Sequence, residues 1–451
     1  MPNPDLPVII LHGWSDTKKS FQPLADYLKG KGFNVVDIWL GNYISMHDQI
    51  TLPDLGLAFI NALKAENVPT TPHAFDLIVH STGGLVAREF LRQICALPEG
   101  GRDAKLTPVR RLVMLAPANF GSPLAALGKS VLGRILKGWT WDLKHLGETG
   151  QRVLNALELA SPYSWQLALD DLFDPNFPIF DPANVLTTVM VGSAPYPGIR
   201  SIAHEAGSDG TVRVSTANLN AHYFLADFKD PDKPTIKREA RLAKPIAFAV
   251  LDRNHTSIHD PDEATQHAEW ETTLLGALSV TPDTYDAHVI ACEALATRTF
   301  AAHPDPADDN FHQYMHVVFR LRDQFGGPIP DYVIDFYDPE DKSDVAYQAI
   351  HGKIVEKVTA YSQDSSYRSF LMDMTDLLDF LDKNPAAEVD LSVAAAQLSD
   401  DVGFANPSKK ALGLDVFDTK DHTFIFPNQP VLVELVLYRE PDEGVFELSK
   451  A

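Results

Sequence analysis

The sequence predicts an α/β fold: a mostly parallel sheet with helices on both faces over residues 1–280, interrupted by a helical insertion at 121–180, and then an antiparallel β-sandwich over 281–451. Three observations carry this. Short apolar runs alternate with segments of helical spacing through the first part, the rhythm of a parallel sheet covered on both sides. One such run, Asp76 to Val79, passes into a helix-forming stretch through His80-Ser81-Thr82-Gly83-Gly84. Beyond Phe311 the pattern changes to runs that alternate polar with apolar residues between Gly, Pro or Asp turns, as antiparallel sheets require.

Pro7 to Leu11 reads as the first strand and runs into His12-Gly13-Trp14. Phe21, Leu24, Ala25 and Leu28 share one face of a helix, and Phe33 to Leu40 is a second strand. Leu55 to Leu63 is an apolar helix; then come the strand ending at His80, the helix Leu85 to Ala96, and a buried strand from Arg111 to Leu115. After Ala116 the rhythm stops. Leu124, Leu127, Val131, Leu132, Ile135 and Leu136 give Ser122 to Lys137 helical spacing, and Gln151 to Leu172 is helical with a break at Pro162. This insertion, rich in Leu and carrying Trp139, Trp141 and Trp165, reads as a lid or cap with an apolar surface toward substrate. Val185 to Gly192 returns to strand, Gly207 to Ser215 is a turn flowing into a short strand, and Pro245 to Leu251 is a strand closed by Asp252-Arg253-Asn254-His255. His267 to Leu278 is a helix, and Asp283 to Phe300 is a helix bridging the two domains.

Of the formal charge of −23, −18 falls from Thr281 onward, where 31 acids face 13 bases. That argues against nucleic acid or an anionic membrane as partner of the second half. No apolar run is long enough to span a bilayer. The start of the chain lacks the regions of a signal peptide, so the expected compartment is the cytoplasm, or the exterior after removal of a leader. Cys95 and Cys292 are expected as separate buried thiols, with neither disulfide nor metal between them. The acid-rich Asp308–Asp309 and Asp338–Asp344 match no known calcium-loop spacing, and no metal is expected.

A strand that becomes a helix within so few residues places the residue at its tip, Ser81, above the carboxyl end of the sheet, with the N–H of Thr82 beside the position where an oxyanion would form. The first small residue usual in such an elbow is here Val79, which crowds the neighbouring strand. A serine hydroxyl needs a base, and the base needs a carboxylate on its other nitrogen. His255, directly after an apolar strand, is the candidate base, with His259 as runner-up. Asp209, between Gly207-Ser208 and Gly210, is the candidate acid; Asp252 is too close in sequence to His255, and Asp170 and Asp171 sit in the insertion. Trp14 offers the second N–H of an oxyanion hole; two such donors are each worth roughly 2.7–4 kcal/mol.

His12-Gly13-Trp14, VHSTGGLVAR, APANFGSPL at 116–124, GSDGTV at 207–212 and NHTSI at 254–258 together resemble the bacterial lipase and carboxylesterase branch of the α/β-hydrolases, over about residues 1–280. The resemblance implies ester hydrolysis through a serine acyl-enzyme without a cofactor, with Ser81 as nucleophile, Asp209 as acid, His255 as base, and Trp14 and Thr82 as oxyanion donors. The expected substrate is a carboxylic ester or lipid with apolar acyl chains. The same machinery serves thioesterases, phospholipases, polyester hydrolases and acyltransferases, and a non-catalytic binding protein on this fold is the remote alternative. For residues 281–451, contact with a lipid interface or a partner is expected only by analogy with lipases that carry a C-terminal β-domain, and it competes with plain structural support.

Overall fold

The computed structural model describes residues 6–11, 18–38, 40–44, 47–96, 106–127, 150–176, 179–196, 205–230, 234–305, 307–337, 345–385, 390–396, 402–404 and 424–441. Two compact units emerge: Met1–Asn220 with Arg241–His312, and Ala221–Ala240 with Gln313–Ala451.

The first unit is built on β1 (Pro7–Leu11), β2 (Asn34–Ile38), β3 (Phe75–His80), β4 (Val109–Leu115) and β5 (Leu186–Gly192); then, past β6 (His222–Asp227) and β7 (Thr235–Arg241), which belong to the second unit, on β8 (Ala247–Leu251). The order is β2-β1-β3-β4-β5-β8, with every pairing parallel. β3 is buried along its whole length, as a strand with helices on both faces must be. On one face Ile10, Ile78, Val113, Met190 and Ala249 pack against Phe21, Leu24 and Leu28 of α1 (Lys18–Gly30) and against Trp270 and Leu274 of the helix His267–Ala277. Helices α2 (Leu52–Ala65) and α3 (Gly83–Ala96) follow β2 and β3 and pack on each other. Thr51 and Asp54 cap the start of α2 reciprocally. Chain progression reverses between β1 and β3, and open α/β sheets bind ligands at the carboxyl ends beside such a reversal.

The insertion begins with a short 3-10 turn at Ala125–Leu127, while 128–149, including Trp139 and Trp141, lie outside the described residues. Its second half forms the helices Gln151–Leu157 and Pro162–Asp171, separated where Ser161 caps the second and Pro162 takes its first turn.

The helix Tyr285–Ala301 buries Tyr285, Val289, Cys292 and Leu295 in the core of the first unit. It therefore completes that unit, where the sequence suggested a bridge, and the boundary differs from the expected 280/281. It differs a second time at β6 and β7, read from sequence as part of the first domain, because β6 pairs in parallel with a strand some two hundred residues further on.

In the second unit β9 (Tyr314–Asp323), β10 (Tyr332–Tyr337), β11 (Val355–Ala360), β12 (Tyr367–Asp373), β13 (Asp390–Ala395), β14 (Val402–Phe404), β15 (Pro430–Leu437) and β16 (Arg439–Pro441) follow in order. Six strands form one sheet, β11-β12-β9-β15-β6-β7. β15 runs parallel to both β6 and β9, so the sheet is mixed, not purely antiparallel. A second, two-stranded sheet of β10 and β13 shares its core: Ile334, Phe336, Leu391 and Val393 meet Val317, Phe319, Phe370, Val431 and Val433. The helix Met374–Lys383 closes this core with Met374, Leu377 and Leu381. Phe424–Phe426 are turn and coil. On the opposite face of the six-stranded sheet Glu434 is buried among Tyr223, Arg320 and Arg322, its carboxylate accepting from all three. Among the described residues, no helix is long and apolar enough to cross a membrane.

Candidate active site

β3 ends at His80, and Ser81 takes a left-handed φ of 55°, which non-glycine residues adopt seldom and hold only when neighbours fix it. The neighbours do so. The Ser81 N–H donates to the Leu115 carbonyl at 3.1 Å, and the Ser81 carbonyl accepts from Gly84 at 3.0 Å and Ala118 at 3.2 Å. A Cβ on Gly84 would stand 2.6 Å from the Cβ of Pro117, so residues 117–124 can close on the elbow only because that position has no side chain. Val79 is fully buried, and the register with Leu11 on β1 and Met114 on β4 continues through it; the crowding expected there leaves the sheet unbroken.

Asp209 lies in the loop after β5 and is fully buried. Its Oδ1 accepts from the N–H groups of Thr211 at 2.9 Å and Val212 at 2.7 Å, which leaves Oδ2 aimed elsewhere. Gly207 and Gly210, with φ of 65° and 90°, give the loop its tight curvature. Instead of continuing into a strand, Val214–Ala217 coil into a helical turn on the carbonyl of Arg213. Below the loop the buried Arg213 guanidinium grips the Glu205 carboxylate at 2.7 and 3.0 Å.

His255 lies in the loop after β8. That loop is wound around Arg253, whose buried guanidinium donates to the carbonyls of Ser257, Asp260, Glu263 and Thr265 at 2.9–3.0 Å and covers the ring of Trp270. Burial lowers the guanidinium to about 10, so it stays charged at neutral pH. The Asn254 side chain accepts from Thr256 and Ser257, turning the chain tightly just after His255.

These three loops leave the carboxyl ends of β3, β5 and β8, and they converge. His255 Nδ1 is 2.8 Å from Asp209 Oδ2, and His255 Nε2 is 3.0 Å from Ser81 Oγ. With a carboxylate on one side and a hydroxyl on the other, the partners assign the proton to Nδ1 and leave the Nε2 lone pair facing the serine. Such a chain can carry the serine proton away as the oxygen attacks an acyl carbon. Thr82 follows Ser81 at the mouth of α3, and Trp14, the other expected oxyanion donor, lies outside the described residues. The rivals have other partners. His259 stacks on Phe21, Asp252 pairs with His303, Asp171 forms a fully buried pair with Arg88, and Asp170 lies near Arg92.

Supports invisible from sequence surround this core. Ser122 Oγ donates to the Thr211 carbonyl at 2.5 Å, and Asn119 Nδ2 to the Ala217 carbonyl at 2.8 Å, so the loop after β4 joins the elbow to the Asp209 loop. His80 Nε2 donates to the His255 carbonyl at 3.0 Å. Each contact is between a side chain and a distant backbone carbonyl, which leaves no spacing to read. Only Asn254, an Asx turn beside the histidine, had a local signal.

The six-stranded parallel sheet, the elbow and the loops converging on its serine define an α/β-hydrolase fold. The sequence matches no family model, and no curated protein matches it. Among solved structures, phospholipase PlaB from Legionella pneumophila superposes with a TM-score of 0.77 at 24% identity, over 99% of this chain and 96% of that one. The same phospholipase in complex with thio-NAD gives a TM-score of 0.74 at 25% identity, over 99% and 97%. Bacillus licheniformis lipase BlEst2 in mature form gives 0.37 at 14%, over 62% of this chain and 95% of that one.

Proposed function

We propose that the protein is a serine hydrolase of carboxylic esters with apolar acyl chains. The observation that carries this reading is the single imidazole of His255 bridging Ser81 Oγ and Asp209 Oδ2 at hydrogen-bond distance. As Ser81 Oγ attacks the ester carbon, its proton passes to His255 Nε2, and the Asp209 carboxylate stabilises the imidazolium through Nδ1–H. Two N–H donors on Oδ1 hold the Asp209 carboxylate in its orientation through that step. The oxyanion forms beside the Thr82 N–H, with Trp14 as the second donor by the resemblance. Collapse expels the alcohol, protonated by His255; water then attacks the acyl-enzyme with the same histidine as base. The insertion at 121–180 serves as the cap over the acyl chain.

Ser81→Ala is expected to lower kcat on a p-nitrophenyl ester by on the order of 10⁵–10⁶, and a fluorophosphonate probe is expected to label the wild type at Ser81 only. A well-folded protein that neither hydrolyses such esters of any chain length nor takes the probe would return the fold to a binding role.

A phospholipid acyl ester is the narrower reading. Its support is that the likeness to a phospholipase extends over nearly the whole of both chains, second unit included. Release of fatty acid from phospholipid vesicles, set against triacylglycerol emulsions and soluble p-nitrophenyl esters, separates the two.

A further inference from the structure

We propose that His80, the residue just before the nucleophile, is a positioning residue for His255. The inference rests on the reading of Ser81 and His255 given above.

Four hydrogen bonds locate His255. Its ring is held by Asp209 Oδ2 at 2.8 Å and meets Ser81 Oγ at 3.0 Å. Its N–H donates to the Asp209 carbonyl at 2.9 Å. Its own carbonyl accepts the fourth, from His80 Nε2 at 3.0 Å. Three of these come from the other two members of the triad. The fourth comes from the residue covalently next to the nucleophile, so the elbow reaches the base twice: through Ser81 Oγ at the ring and through His80 at the backbone.

Both imidazoles are buried, with ring centroids 4.7 Å apart. Phe21 and His259 also pack against the His80 ring, at 5.4 and 4.9 Å between centroids, and limit its rotation. The Nε2–H tautomer is required, because a carbonyl can only accept. The left-handed Ser81 separates the directions of the two neighbours, so that Oγ faces the ring of His255 while His80 faces its carbonyl. If this donor is lost, a buried carbonyl is left without its partner, and the backbone carrying the base is free to shift away from Ser81. Displacement of about 1 Å at a reacting pair slows reaction about 10²-fold while leaving remote substrate contacts alone.

The test compares wild type, His80→Phe and His80→Gln, with His80→Leu as a second donor-free variant where Phe does not fold. Phe keeps a ring but has no donor; the Gln amide can reach the place of Nε2. One readout is kcat and KM on a soluble p-nitrophenyl ester. The other is the downfield proton resonance of His255 Nδ1–H in protein labelled with ¹⁵N-histidine, which reports the imidazole–carboxylate geometry whether or not the protein turns over an ester. The donor-free variant is expected to lose about 10–100-fold in kcat with KM within about threefold of wild type, and to shift or broaden the resonance. His80→Gln is expected to restore both. An unmoved resonance in the folded donor-free variant overturns the proposal, even where wild type hydrolyses no ester. So does a Gln variant as impaired as Phe, because a donor restored at the place of Nε2 would then have rescued nothing.

Discussion

Gly192 closes β5, and the backbone of the histidine loop runs against it: a Cβ there would stand 1.9 Å from the carbonyl oxygen of Arg253. That carbonyl also accepts from the Ala194 N–H at 3.1 Å, and the same Cβ would reach within 3.3 Å of Asp209 Cβ. One missing methyl thus sets the approach of the Asp209 and His255 loops. Gly192→Ala is expected to destabilise the fold by about 1–3 kcal/mol, as overpacking does, and to lower kcat more than KM rises. Thermal unfolding and ester kinetics on the variant check this; an unchanged Tm with unchanged kcat would show slack where the geometry has none. Residues of this kind were only partly legible in the sequence. Ser81 and Asp209 stood out because glycines on their flanks signal backbone that must curve, and His255 because a polar loop follows an apolar strand. Arg253 and His80 act on carbonyls, and their role depends on where the chain returns, which no local pattern records.

At the scale of elements, β3 and β4 are joined at their amino ends as well as by their ladder. The buried Asp76 receives Arg111 Nη1 at 2.9 Å, while Arg111 Nε donates to the Val280 carbonyl. Burial outweighs the pull of Arg111 and pushes the Asp76 carboxyl up to about 6; its Oδ1 is buried without a hydrogen-bond partner. An unfolded aspartate titrates near 3.9. Between those values the folded state binds the proton more tightly, so the contribution of Asp76 to stability is greatest below pH ~4 and declines as pH rises to about 6. Asp76→Asn has no such proton. Across pH 4.5 to 7, the Tm of wild type is therefore expected to fall relative to that of the Asn variant; a constant difference would count against the raised value. The apolar content of β3 and β4 was plain from sequence, as was the alternation of the first sheet. β6 was not: His222–Asp227 finds its partner in β15 rather than in any strand nearby, and short apolar segments announce a strand without announcing its sheet.

At the scale of the whole chain, the helix Tyr285–Ala301 decides where the polypeptide can be cut. Tyr285 Oη donates to the Thr187 carbonyl at 2.5 Å and accepts from the Ala247 N–H at 3.2 Å, so it ties β5 to β8. Thr299 Oγ1 donates to the Val250 carbonyl at 2.9 Å. A chain ending at 280 loses both ties and uncovers the apolar face that Val289, Cys292 and Leu295 fill. It is expected to aggregate or to melt without a cooperative transition. A different trim follows the units: stop at His312 and replace 221–240 with a short Gly-Ser link. The chain rejoins near that excision, because Asn220 bonds Ile246, five residues beyond Arg241, in both directions, at 2.8 and 2.9 Å. This chain keeps Ser81, Asp209 and His255 with all the supports described for them, and it is expected to melt cooperatively and to take the fluorophosphonate probe at Ser81. Its activity on soluble esters against emulsified lipid then measures what the second unit contributes: equal retention on both makes that unit a scaffold, while selective loss on emulsions gives it the lipid surface. Failure of the trimmed chain to fold while the chain ending at 280 folds would reverse the assignment of the Tyr285–Ala301 helix to the first core.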